Sequence, residues 1–193
     1  MSAITLFPLH TVLYPGGDLP LKIFEARYVD LVSACLRDGQ GFGIAPIRRG
    51  HEVGMPAETH PLGTFARIVD WDQGRDSLLH ITVHGTARFR ILAVAHRANG
   101  LIDADIEWFE DGEDPPLPND DGFLSRLFTA LWQRFAPERP APDALRSRSL
   151  CYRLAEMLPF DAETRIALLG EPAASAQLRL IEREVLAISA GGT

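Results

Sequence analysis

Lysine occurs once in this sequence of 193 residues, as Lys22, and cysteine twice, as Cys35 and Cys151. Each scarcity excludes a chemistry. A P-loop needs Gly-Lys-Ser/Thr, so that backbone amides and an ammonium neutralise phosphate together, and the single lysine stands in Leu21-Lys22-Ile23. A Ser/Lys proteolytic dyad needs a desolvated lysine, whereas Lys22 precedes a helical pattern in an apolar run and reads as a surface cation whose stem covers apolar neighbours. Two cysteines cannot build a disulfide framework, and both read as reduced core residues. Cys-x-x-Cys, His-Glu-x-x-His and the Gly-x-Ser-x-Gly elbow are all absent, which removes the strongest zinc and hydrolase signals. No window reaches the roughly 18 apolar residues of a membrane span. Met1 to Pro8 carries neither a basic n-region nor an apolar stretch of signal-peptide length. The expectation is a soluble, cytoplasmic protein that is not an enzyme and holds no cofactor or metal.

What is present points to a folded α+β chain. The net charge of −7 works against phosphate backbones, so nucleic acid is not an expected partner. Leu101 to Phe109 alternates, with Ile102, Ala104, Ile106 and Trp108 on one face and Asp103, Asp105 and Glu107 on the other, the pattern of a half-buried strand. Leu62 to Trp71, Leu78 to Val83 and Ala87 to Val94 read similarly. With Gly74 and Gly85 as turn positions, four antiparallel strands are expected. One helix interrupts them: Phe24, Tyr28, Leu31, Val32, Cys35 and Leu36 recur at helical spacing, and Gly39 stands where a left-handed residue ends a helix.

After residue 110 the character changes. Glu110 to Asn119 is acidic, proline-rich and without periodicity, which divides the chain into a β-rich lobe (1–110), a linker (111–119) and a helical bundle (120–193). In the bundle, Phe123, Leu124, Leu127, Phe128, Leu131, Trp132 and Phe135 form a stripe capped by Asp120 or Asp121, and Pro137, Pro140 and Pro142 then break the chain. Helices from about Asp143 to Leu158, Asp161 to Leu169 and Ala173 to Ser189 follow, the last carrying Leu178, Ile181, Val185 and Ile188.

Three clusters resemble sites and read as architecture. His80 and His84 on a strand would share a face about 13 Å apart, too far to hold one metal ion. Gly39-Gln40-Gly41-Phe42-Gly43 follows a helix and precedes a strand, the reverse of the order that aims a helix N-terminus at phosphate. The acids from Asp103 to Asp114 split between a strand face and the linker, so they form a solvated face.

Three blocks carry a resemblance to a known family: Leu6-Phe7-Pro8-Leu9, Leu13-Tyr14-Pro15-Gly16 and Leu19-Pro20-Leu21-Lys22-Ile23-Phe24-Glu25-Ala26-Arg27-Tyr28. They resemble the opening signature of the Lon protease N-terminal, substrate-binding domain family. Gly41-Phe42-Gly43-Ile44, Glu52-Val53-Gly54, Gly63-Thr64, Ala66-Arg67-Ile68 and Gly85 to Ile91 follow in the family's order, and Leu154 to Pro159 and Leu168-Leu169 resemble its helical tail. The resemblance covers nearly the whole chain. It implies a bacterial protein with a PUA-like curled antiparallel sheet or barrel and one packed helix, followed by a small helical bundle. It also implies a non-catalytic polypeptide-binding module whose partners are unfolded or exposed polypeptide segments and a separate protease, and which forms a homo-oligomer. The family's ATPase and peptidase segments come after this domain in full-length members, and this chain stops at Thr193 with neither.

The signature residues Pro8, Pro15, Gly16, Pro20, Phe24, Glu25, Arg27 and Tyr28 read as architecture. Proline suits edge and turn positions. Glu25 and Arg27, two apart, cannot face each other along a helix and are expected to reach backbone or other strands. The loop Arg48 to Pro56 and the turn around Tyr14 are the expected edges of an apolar groove between the lobe and the bundle, which assigns Tyr14, Arg48, Arg49, His51 and Met55 to polypeptide binding. Two alternatives stay open. RNA binding would need Arg48, Arg49, Arg67, Arg88 and Arg90 on one face. Small-molecule binding follows from a likeness to a domain of cereblon, which binds its ligands through an additional domain that is missing here.

Overall fold

The computed structural model describes residues 2–54, 57–111, 114–117, 122–136, 138 and 145–191. It divides into two compact units, Met1–Phe109 and Glu110–Thr193. The first contains β1 (Ser2–Leu9), β2 (Asp18–Ile23), α1 (Ala26–Asp38), β3 (Phe42–Arg49), β4 (Glu58–Thr59), β5 (Leu62–Gln73), β6 (Leu79–His96) and β7 (Ile102–Trp108).

The strands run in the order β1-β7-β6-β5-β3-β4, with β2 added on β6. All these neighbours are antiparallel. β1 also pairs in parallel with β3, from Leu6↔Gly43 to Leu9↔Pro46, so the hydrogen-bonded path returns to its start and the sheet closes into a ring. The ring takes in β1, β7, β6, β5 and β3, while β2 and β4 stand outside it with one strand neighbour each. The proline positions fit this ladder. Pro20 lies on β2, which has β6 as its one strand neighbour, and Pro8 lies beyond Leu6, where the pairing of β1 with β7 ends. Pro15 and Gly16 (φ 77°) form a turn in which Gly17 N–H donates to Tyr14 O at 3.0 Å, the type II pattern with its positive-φ glycine.

Two expectations need correction here. Four strands become seven among the described residues, and Gly85 is not a turn: β6 is one strand of 18 residues. Gly85 marks a close approach instead. Its N–H donates to Gly17 O and its carbonyl accepts from Gly16 N–H, both at 2.8 Å, and a Cβ there would stand 2.4 Å from Tyr14 O. Gly74 does make its turn, donating to Leu78 O at 2.9 Å.

Alternation along β1 splits the interior in two. Phe7 joins Tyr28, Val32, Phe42, Ile81 and Val83 under α1, whereas Leu6 joins Phe89, Ile102, Ala104 and Ile106. Helix α1 buries Tyr28, Leu31, Val32 and Cys35, and ends at Gly39 (φ 64°), whose N–H donates to Cys35 O. Tyr28 stacks on Phe7 with ring centroids 4.0 Å apart. Phe24 is not part of this stripe: it precedes the extended N-cap Glu25 and is 57% exposed.

The second unit contains α2 (Phe123–Phe135), α3 (Ser147–Met157), α4 (Ala162–Gly170) and α5 (Ala174–Gly191). α3 packs against α2 and α5. Leu150, Cys151, Leu154, Leu168, Leu169, Ile181 and Val185 are buried, and burial pushes the Cys151 thiol up to about 12. The expected caps Asp120 and Asp121, the breakers Pro137, Pro140 and Pro142, and Asp143 lie outside the described residues. The described part of the 111–119 segment does more than connect. Asp114 accepts from the N–H groups of Arg148 (2.7 Å) and Ser149 (3.1 Å), placing a carboxylate on the first turn of α3, where the helix dipole favours one. Asp111 pairs with the buried Arg148 guanidinium, which also donates to Pro172 O at 2.7 Å. Acidity that reads as linker composition is thus a helix anchor.

Candidate functional site

The exit of β2 and the loop after β3 build a cleft of about 150 Å³ in the first unit. Phe7, Leu9, Leu21 and Ile23 line its apolar side, and Tyr28 contributes a buried aromatic ring. Phe24 and Val53, 57% and 52% exposed, stand at its mouth. The loop is tied down at two points: His10 N–H donates to Glu52 Oε1 at 2.6 Å, and Gly54 N–H donates to Glu25 Oε2 at 3.5 Å. Glu25 Oε2 also lies 3.0 Å from the Arg27 guanidinium, which donates to Gly100 O at 2.9 Å and covers the Tyr28 ring. This corrects the expectation that Glu25 and Arg27 cannot meet. Glu25 has extended backbone, φ −81° and ψ 130°, so helical spacing does not govern the pair. Burial raises the Tyr28 hydroxyl above its ordinary pKa while the neighbouring Arg27 opposes it, so the ring stays neutral at physiological pH.

A second cleft, of about 310 Å³, runs across β2, β5 and β6, with Trp71 (59% exposed), Asp70 and Asp72 on its rim. Beside it Lys22 forms an ion pair with Asp76, and hydrogen bonding from Lys22, Leu78 N–H and His80 holds the Asp76 carboxyl well below the usual range. A third, of about 430 Å³, lies between β4 and the far half of β6.

The structure separates the residues expected to bind. Tyr14 does not form an edge: its side chain is fully buried, with Leu13 O beside it accepting from Thr64 Oγ1 and Gly85 packed under its carbonyl. A hydrophobic turn flanked by Pro-Gly reads as exposed, yet here the ring turns inward. Arg48 and Arg49 are exposed at the end of β3, Arg48 paired with Glu58, and His51 is exposed on the loop. Met55 lies outside the described residues. Phe24 and Trp71 stand outside the residues expected to bind, whereas Val53 lies in the expected loop Arg48 to Pro56. The signal for Phe24 was its place immediately before Glu25: an extended N-cap puts the preceding residue outside the helix, so helical spacing no longer buries it.

The remaining constellations have structural partners. His84 Nδ1 lies 2.7 Å from Asp18, and His80 Nε2 lies 3.2 Å from Asp76. Among the described residues no group of three or more His, Cys, Asp or Glu could hold a metal ion. None of their helices is long and apolar enough to cross a membrane. Arg88 is buried, with its guanidinium over the Phe109 ring, so the five arginines do not present one basic face.

The family model for the ATP-dependent protease La (LON) substrate-binding domain matches residues 3–186. The chain is 32% identical over 112 residues to Lon protease 2 of Myxococcus xanthus, covering 57% of this chain and 13% of that protein. It is 30% identical over 139 residues to Lon protease 4 of Sorangium cellulosum, covering 71% of this chain and 16% of that protein. The matches therefore span under a fifth of these relatives' length. A crystal structure of a Lon N-terminal domain protein from Xanthomonas campestris superposes with a TM-score of 0.74 at 33% identity, covering 96% of this chain and 98% of that one. The N-terminal domain of a Mycobacterium avium complex Lon protease shares the fold, with a TM-score of 0.64 at 16% identity over 93% of this chain and 96% of that one.

Proposed function

The chain belongs to the ATP-dependent protease La (LON) substrate-binding domain family, and from that membership we propose that it is a non-catalytic module whose first unit captures exposed or unfolded segments of other polypeptides. The observation that carries the reading is the cleft beside α1. It is apolar within, rimmed by exposed Phe24 and Val53, and preset by the Glu25 and Glu52 clamps on its loop. An aromatic anchor at a preformed pocket is the arrangement in which few residues supply most of the binding energy. Arg48, Arg49 and His51 do not line this cleft; Arg48 lines the one between β4 and β6. A Lon-type protease is the natural recipient of what the module holds, and self-association would present several such clefts together.

The test is binding of a reduced, alkylated protein against its native form. Phe24→Ser with Val53→Ser should weaken capture of the unfolded form at least about tenfold and leave the melting temperature unchanged, because both side chains are exposed. Unaltered capture by that variant would remove the cleft from the function. ATP hydrolysis or casein cleavage abolished by a point mutation in this chain would overturn the non-catalytic assignment.

A further inference from the structure

β6 outruns its neighbour. Its pairing with β5 ends at Leu62↔Arg90, while its pairing with β7 continues to His96↔Ile102. From Leu92 to His96 the strand therefore has a partner on one side among the described residues. β4 is in the same position, since Glu58 and Thr59 pair with β3 alone. The two stretches face one another by register. Ile91 N–H still donates to Pro61 O at 2.9 Å, and one step further the ladder would set Thr59 against this part of β6. Instead His60 N–H turns to Pro46 O at 2.8 Å, the strands part, and the cleft of about 430 Å³ opens between them.

The floor of this slot is apolar for a stated reason. An extra residue between Ile91 and Ala93 shifts the register, so that Val94 stands opposite Ala104 and His96 opposite Ile102, residues of the buried face of β7. Val94 thus lies on the face of the second core cluster and is still 51% exposed, as is Leu92 at the bulge. Open strand edges are commonly blunted by lysine, proline or a covering element; Leu92-Ala93-Val94-Ala95 carries neither residue. Within the slot Arg48 is ion-paired with Glu58, the one acid of its lining, and Arg49, opposite Glu58 by register, ends β3 beside them, so the formal charges there sum to one positive in a chain whose net charge is −7.

We propose that this slot takes an extended segment of another polypeptide as an added β-strand, hydrogen-bonded to the open edge of Leu92 to His96, with an apolar side chain over Val94 and an acidic flank toward Arg49. The inference rests on the reading of the chain as a polypeptide-recognition module and adds how a segment is held and of what chemistry. Main-chain hydrogen bonds tolerate many sequences, while the pocket under every second side chain and the basic rim select among them.

The test uses the full chain and a fluorescent peptide of alternating valine and threonine with a glutamate at each end, followed by anisotropy. The peptide should bind. An added strand turns alternate N–H groups toward the edge, so methylating one alternate set of backbone nitrogens should cost at least about tenfold in affinity, and methylating the other set should be tolerated. Lysine in place of the flanking glutamates, and Val94→Lys in the protein, should each weaken binding. Equal tolerance of both methylated sets overturns strand addition without relying on any protein variant. If the parent peptide binds, Phe24→Ser abolishes it and Val94→Lys does not, the module reading stands and the slot falls. If neither peptide nor unfolded protein binds, both fall. A concentration-dependent dimer dispersed by Val94→Lys gives the slot to a second copy of the chain and overturns the proposal.

Discussion

Tyr28 and Phe24 stand four residues apart and answer different questions. Tyr28 is buried against Phe7 and beneath the Arg27 guanidinium. Truncating a buried aromatic costs on the order of 3 to 5 kcal/mol, so Tyr28→Ala should lower the melting temperature markedly, and any loss of polypeptide capture should follow from unfolding. Phe24→Ser should do the reverse, and melting and binding measured on both proteins separate scaffold from site. Cys151 provides a pH readout in the second unit. Burial raises its thiol from 9.0 to about 12. A pKa raised on folding contributes stability that is fully present below the unfolded thiol's pKa and is lost as pH rises, here between about 9 and about 12. Thermal melts across that range should fall less steeply in Cys151→Ala than in the parent. Iodoacetamide at neutral pH should modify Cys151 only after denaturation, which mass spectrometry reads directly.

At the scale of elements, glycine and arginine positions carry the sharpest consequences. A Cβ at Gly85 would stand 2.4 Å from the Tyr14 carbonyl oxygen. Gly85→Ala should therefore cost about 1 to 3 kcal/mol through overpacking, seen as a lower denaturation midpoint with an unchanged slope. Arg148 anchors the start of α3 to Asp111 and Pro172. Arg148→Met removes a buried guanidinium that pairs with the exposed Asp111 and donates to Pro172 O, and should cost about 1 to 3 kcal/mol, with the share owed to Asp111 read from a double-mutant cycle with Asp111→Asn. These positions also mark what the sequence made legible. The period-2 pattern of Ile102, Ala104 and Ile106 and the 3.6-period of Tyr28, Leu31, Val32 and Cys35 are local, and the elements form where those periods lie. Gly85 was opaque because a glycine that admits a crossing backbone and one that turns the chain look alike from inside the strand. Asp111 and Asp114 were opaque because their partner, the first turn of α3, lies more than thirty residues away.

The whole molecule divides after Phe109, and every strand pairing of the ring falls before that point. Residues 1–109 should consequently fold alone, with far-ultraviolet dichroism dominated by strand, and retain capture of the alkylated protein. An unfolded fragment would show that the ring needs the second unit. The cleft within this unit was only partly legible from sequence: the expected loop Arg48 to Pro56 lines it through Glu52 and Val53, not through Arg48, Arg49 or His51, while Phe24 reaches the same cleft from the exit of β2, a long-range juxtaposition with no local signature. That closure also has a consequence for biosynthesis. Within this unit β1 leaves the ribosome before the other strands, yet Ser2 pairs with Ile106 of the last strand of the unit to appear. Until β7 emerges, the nascent chain carries an apolar segment, Ile4 to Leu9, that lacks one of its two neighbours. Chains stalled before residue 102 should accordingly recruit holdase chaperones, and chains stalled well past residue 109 should release them, placing the moment of greatest vulnerability at the end of synthesis of the unit and not at its beginning.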